Sequence, residues 1–274
     1  MLGAIIGDIV GSRFEFDNID TKEFELFVPE CRFTDDSVMT LAVACALLDS
    51  KPDHSNLSTQ AIKYMQHLGR NIYPSGRGYG GMFRQWLQSD KPEPYNSWGN
   101  GAAMRVSPCG FFGKDLEEVK LLSKLVTEVT HNHPEGIKGA EATAVTVFLA
   151  RTGKKIPEIK QYICDNYYKI DFTLDEIRPT YHFRPSCQET VPQALECFFE
   201  STDYEDAIRN AISIGGDSDT IGAIAGGVAE AYYGIPEEIK EKAMAYLDDN
   251  FKRVLAKAYA QTSGKTDSKL STIL

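Results

Sequence analysis

Two short acidic segments hold the side chains best suited to chemistry. Thr34-Asp35-Asp36-Ser37 and Gly215-Gly216-Asp217-Ser218-Asp219-Thr220 bring together four aspartates and their hydroxyl neighbours, spaced as Asp-Asp and as Asp-x-Asp-Thr. Hard oxygens of this kind form the shell that Mg2+, Mn2+ or Ca2+ takes. Singly, each segment has a plainer reading, because Ser, Thr and Asp cap helix N-termini and acidic residues there suit the helix dipole. Together they crowd like charges that need a counter-cation. Neither continues as an EF-hand, which wants oxygens at alternate positions over a twelve-residue loop ending in a bidentate Glu. Zinc fits poorly as well: His131-Asn132-His133 offers two nitrogens, but no Cys or third His stands at zinc spacing.

The elements that must position these segments read as helices throughout. Residues 37–48 are rich in Ala and Leu, which favours a buried helix over a strand of similar apolarity. Further helices are predicted near 57–68, 80–89, 115–129, 135–151, 156–166, 189–200, 204–213, 219–233 and 236–259, the last broken near 248–251. No run alternates with period two, so the expected fold is all-α. Each acidic segment then sits at the mouth of a helix, 37–48 and 219–233. Two helices are thinned by small residues, with Gly3, Gly7 and Gly11 at every fourth position and Gly222, Gly226, Ala229 and Ala231 in the later one. Glycine costs about 1 kcal/mol against alanine inside a helix, so the repetition predicts close backbone approach of two central helices.

Composition bounds the rest. With 29 Lys+Arg against 39 Asp+Glu, the formal charge is −10. No local basic patch offsets it, which argues against non-specific nucleic-acid binding through phosphate contacts. At 42% hydrophobic and 25% charged residues the chain is an ordinary globular one, long enough for a sizeable core. The loops are short, and one domain over residues 1–260 with a polar tail at 261–274 is expected. No signal peptide or membrane span is expected, since no apolar stretch approaches the roughly 20 residues that a span needs. The six cysteines form no C-x-x-C pair. They read as free thiols of a soluble, monomeric, cytoplasmic protein.

Five motifs in order resemble the ADP-ribosylglycohydrolase family over residues 3 to about 234. They are Gly7-Asp8-Ile9-Val10-Gly11 with Glu15, Thr34-Asp35-Asp36-Ser37, Gly99-Asn100-Gly101-Ala102-Ala103-Met104-Arg105, Thr130-His131, and Gly215 through Gly222. Ser37 departs mildly from the Thr of many members. The resemblance implies an all-α orthogonal single-domain bundle with a central binuclear Mg2+ or Mn2+ cleft. It implies hydrolysis of the bond between ADP-ribose and an acceptor, on an ADP-ribosylated protein or small conjugate. Thr34, Asp35, Asp36, Asp217, Asp219 and Thr220 would hold the two Mg2+ (or Mn2+) ions. Glu15 would lie near the scissile bond as an acid, base or positioning group, and Asp36, if only loosely held, would orient the water with Asp35 beside it. Asn100, Gly101 and Ala102 match the loop that holds diphosphate and ribose, and His131 a histidine that contacts ligand. In isolation His131 is more often a packed or capping residue.

Two further ligand contacts come from the residues themselves. The Gly76–Gly81 loop, with Arg77 and Tyr79, offers amides and an aromatic face to a nucleotide, though most such loops are only turns. Tyr181, His182, Phe183 and Arg184 offer an adenine wall or ordinary rim packing. Arginine is favoured over serine or another acceptor. The alternative reading is a non-catalytic relative that binds ADP-ribose or serves a structural role.

Overall fold

A computed structural model describes residues 1–72 and 78–263. Among the described residues it holds fourteen α-helices, one 3-10 turn and no strand. The helices are α1 Leu2–Gly11, α2 Asp35–Leu48, α3 Leu57–Asn71, α4 Gly81–Gln88, α5 Ser107–Phe112, α6 Leu116–Thr127, α7 Pro134–Arg151, α8 Ile156–Asn166, α9 Leu174–Ile177, α10 Cys187–Phe199, α11 Tyr204–Ser213, α12 Ser218–Tyr233, α13 Glu237–Met244 and α14 Asp249–Ser263. The predicted tail from 261 begins inside α14, and its residues 264–274 lie outside the described residues, as does Arg77.

The glycine pattern explains the centre of the molecule. α1 is buried along its whole length and runs antiparallel to α12. A Cβ on Gly3 would stand 2.3 Å from the Gly226 carbonyl oxygen, one on Gly7 1.9 Å from that of Gly222, and one on Gly11 2.4 Å from that of Ser218. Only hydrogen fits between backbones this close. The contact sets the C-terminal end of α1, and therefore the segment holding Glu15, beside the N-terminal end of α12 with Asp217 and Asp219. At the far end Glu230 of α12 accepts the Gly3 amide at 2.7 Å and the Tyr259 hydroxyl of α14, while Tyr259 accepts the Leu2 amide at 2.8 Å.

The sequence pattern places the long helices and misplaces one boundary. The break in the last helical stretch falls at 245–248 rather than 248–251. Asp248 caps a new helix there, accepting the Asn250 and Phe251 amides at 2.8 and 2.9 Å. Short α5 is absent from the predicted helices because Pro108 and Gly110 read as turn residues. Proline is nonetheless suited to a first helical turn, and Gly110 lets the helix lie against α7, where a Cβ would be 2.5 Å from the Ala144 oxygen. The apolar faces of these helices merge into one core. No helix of the described chain is long and apolar enough to cross a membrane.

Candidate metal centre and ligand cavity

Three helix ends meet around one acidic pocket, and a residue outside the predicted set joins them. Asp8 is fully buried on α1. One of its carboxylate oxygens accepts the Thr34 hydroxyl at 2.6 Å; the other accepts the Thr34 and Ser37 amides at 2.8 and 3.0 Å and the Ser37 hydroxyl. Asp8 thereby caps α2 from a neighbouring helix and fixes where Asp35 and Asp36 point. A carboxylate has about four acceptor sites, and four donors occupy these two oxygens. Asp8 therefore anchors the cluster, although its carboxylate also lies within reach of Asp36 and Asp219. The family departure at Ser37 keeps the hydroxyl this anchor uses.

The remaining acids face one another. Carboxylate oxygens of Asp8, Asp36 and Asp219 fall within 4.8 Å of each other, and so do those of Glu15, Asp217 and Asp219. Burial first, then the neighbouring carboxylates, pushes Asp35, Asp36 and Asp219 well above the usual carboxylate range. Burial lifts Asp217 to about 6 against hydrogen bonds that lower it. Glu15, only partly buried, rises to about 8 through burial and the Asp219 charge. A cation answers this arrangement directly. One oxygen of Asp36 is buried with no partner, as a ligand oxygen awaiting a metal would be. Thr34 spends its proton on Asp8 and one lone pair on the Asp36 amide at 3.4 Å, which leaves the other lone pair free for a cation. The donor set is oxygen throughout, which suits Mg2+ or Mn2+ and disfavours zinc.

The acids form the floor of a cavity of about 420 Å3. Glu15, Asp35, Asp36, Asp217, Asp219 and Thr220 line it, as do Asn100, Gly101 and His131. Asn100 donates to Asp217 at 2.6 Å and to the Thr190 hydroxyl at 3.2 Å, so the Gly99–Gly101 loop and the α12 acids form one unit. The loop is pinned on both flanks. Tyr95 donates its amide to the Thr130 carbonyl at 3.1 Å, Asn100 to that of Pro185 at 2.8 Å, and Cys187 to that of Trp98 at 2.9 Å. Asn18 clamps the turn that leads into α12, bonding both the Gly216 amide and its carbonyl at 2.9 Å. Gly215 and Gly216, at φ +71° and +76°, adopt the left-handed turn that feeds Asp217 into the site.

Some predicted contacts are placed elsewhere. Tyr79 is buried, its ring 5.2 Å from Phe83, and it does not line the cavity, whereas the flanking Gly78, Gly80 and Gly81 do. Ala102 is likewise fully buried behind the loop. Of the four-residue aromatic stretch, Phe183 reaches the cavity; Tyr181 packs under Gly216 and donates its hydroxyl to the Glu189 carbonyl at 2.8 Å. Trp98, about half exposed, lines the cavity as well. Sequence reasoning gives no role to Trp98 or Asp8. A charged residue in the apolar run of α1, and a lone Trp inside a Gly-rich loop, were the signals available.

The site and fold together define a class. The chain belongs to the ADP-ribosylglycohydrolase family, which it matches over residues 1–268. It is 26% identical to human ADP-ribosylhydrolase ARH3, over 90% of this chain and 88% of that one. It is also 26% identical to the ADP-ribosylarginine hydrolase Tri1 of Pseudomonas putida, over 88% of this chain and 72% of the relative. Among solved structures it resembles an ADP-ribosylglycohydrolase-related protein complex with a TM-score of 0.70 at 21% identity, covering 96% and 95% of the two chains.

Proposed function

We propose that this protein is a metal-dependent hydrolase that removes ADP-ribose from an acceptor, with ADP-ribosylated arginine as the preferred class. The observation that carries the reading is the buried carboxylate cluster on the floor of a cavity whose other walls suit a nucleotide. The arginine preference is supported by the resemblance to an ADP-ribosylarginine hydrolase. Thr34, Asp35, Asp36, Asp217, Asp219 and Thr220 would hold two Mg2+ or Mn2+ ions. Bound there, the ions supply Lewis-acid stabilisation of developing charge and a water made more acidic. The six unpaired cysteines suit a reducing, cytoplasmic setting.

The chain's own groups divide the remaining work. Glu15, at the cavity edge with its proton affinity raised, serves as the acid–base group that hands a proton to the departing acceptor. Asp36, with its unpartnered oxygen, orients the attacking water. Asn100 holds Asp217 in place while its loop receives the diphosphate and ribose. Trp98 and Phe183 offer aromatic faces to the base and exclude water from its planes. Cleavage passes through an oxocarbenium-like state, which the proton from Glu15 and the water oriented by Asp36 serve from the two ends of the breaking bond.

Turnover of a panel of conjugates, ADP-ribosyl-arginine and ADP-ribosyl-serine foremost, tests this with and without chelator. Activity on arginine conjugates that disappears with EDTA and returns with Mg2+ or Mn2+ is expected. The Asp35→Ala, Asp217→Ala double variant should lose at least about 10^3-fold in kcat. Unchanged turnover in that variant rules the reading out. Binding of ADP-ribose without turnover of any conjugate would favour the non-catalytic alternative.

A further inference from the structure

Behind the ligand loop lies a polar chain that the proposed reaction does not use. Arg105 is buried, and among the described residues no carboxylate pairs with it. Its Nη2 donates to the Thr130 hydroxyl at 2.6 Å, while its Nε has no partner. The same hydroxyl oxygen lies 2.8 Å from His131 Nδ1 and 3.3 Å from the Thr127 carbonyl. That carbonyl already accepts two amides, from Thr130 at 3.1 Å and His131 at 2.9 Å. The only proton on the Thr130 hydroxyl therefore has one good acceptor left, His131 Nδ1. A guanidinium bonded to the hydroxyl oxygen polarises the O–H and makes it a stronger donor still.

We infer that Arg105 and Thr130 are positioning residues that fix His131 in the Nε2–H tautomer, so that it presents one N–H donor to an anionic oxygen of the ligand held by the Gly99–Gly101 loop. Nε2 faces that loop, about 3.6 Å from where a Cβ on Gly99 or Gly101 would stand, and among the described residues it has no hydrogen-bond partner. His131 lines the cavity. Burial, and then the Arg105 charge, holds its pKa well below the ordinary histidine value, so the ring is neutral and only one nitrogen carries a proton. A neutral donor recognises a phosphate oxygen without competing with the metal centre for it. Arg105 supplies the compensating positive charge from behind. The ligand half of this inference rests on the ADP-ribose reading; the tautomer half does not.

Nitrogen NMR of the full chain labelled with 15N-histidine tests both halves, with His131→Gln identifying the signal among five histidines. A bare Nδ1 and a protonated Nε2 are expected in the wild type across neutral pH. Thr130→Val should yield mixed tautomers and weaken ADP-ribose binding about tenfold, the effect of one misdirected hydrogen bond, and Thr130→Ser should restore both. A protonated Nδ1 in the wild type, or a tautomer unmoved in Thr130→Val, overturns the relay. Because the wild-type spectrum alone can do so, a variant that fails to fold leaves the test intact. A wild type with the stated tautomer that binds no ADP-ribose supports the relay and overturns the functional reading instead.

Discussion

Asp8 shows how much a single residue outside the ligand set governs this site. Its carboxylate takes the shorter of the Thr34 hydroxyl's two contacts, 2.6 Å against 3.3 Å to Asp36, accepts the Ser37 hydroxyl, and helps hold two backbone amides at the start of α2. In Asp8→Asn an amide nitrogen replaces one oxygen and points donor at donor. Leaving buried donors unsatisfied costs about 1–3 kcal/mol apiece, so Asp8→Asn should lose about 2 kcal/mol or more of stability. Asp35 and Asp36 would be misdirected with it, and hydrolysis should fall more than the fraction unfolded explains. Chemical denaturation and turnover on the same preparation check this; a variant as stable and as active as wild type would mean that Asp8 does not anchor the start of α2. The residue is visible in sequence as an acid in an apolar run, but nothing local says that its partners stand 26 residues away. The four aspartates are legible because each stands in a helix-start pattern that repeats. Tyr79 misleads for the opposite reason: glycines around an aromatic look like a ligand loop, while burial against Phe83 depends on α4, which sequence does not orient.

Among the elements, the α1–α12 pair is the device that assembles the cavity. Nothing in the acids themselves brings residues 15 and 219 together. Backbone contact through Gly3, Gly7, Gly11, Gly222 and Gly226 does. Gly7→Ala places a Cβ 1.9 Å from the Gly222 oxygen, a contact that no rotamer relieves, so the helices must separate. Overpacking in a tight core costs about 1–3 kcal/mol, and backbone against backbone belongs at the upper end. A melting temperature lowered by several degrees and weakened metal binding are expected together, read by calorimetry and by titration with Mn2+. Loss of stability with metal affinity intact would mean that the pair holds the core and not the site. The glycine spacing announces this approach before any coordinates, because glycine at every fourth position is costly unless something occupies the vacated space. Helices α5 and α9 are not legible, since six and four residues give too few turns for periodicity to register.

At the scale of the whole molecule, a net charge of −10 is distributed unevenly. Glu15, Asp8, Asp35, Asp36, Asp217 and Asp219 gather six negative charges at one place, at a cost that folding must offset. Each of these acids has its pKa raised in the folded chain when no cation is bound, foremost by burial, with Glu15 moved from 4.5 to about 8 and Asp217 from 3.8 to about 6. An acid whose folded pKa exceeds its unfolded value holds its proton more tightly when folded. The stability it contributes is full below the unfolded value and lost as pH rises through the folded one. Chelated protein should therefore be most stable near pH 4–5 and lose stability steadily toward pH 8, opposite to the trend of a protein stabilised by ion-paired carboxylates. In the proposed metal centre two divalent cations would replace those protons. Saturating metal at about a hundred times its dissociation constant adds about 2.7 kcal/mol per site, and more of the gain appears at pH 8 than at pH 5, because protons compete for the same oxygens. Thermal melts at both pH values, with EDTA and with excess Mg2+ or Mn2+, measure the difference. A metal-induced rise in melting temperature that is equal at the two pH values, or larger at pH 5, would place the cation away from these carboxylates.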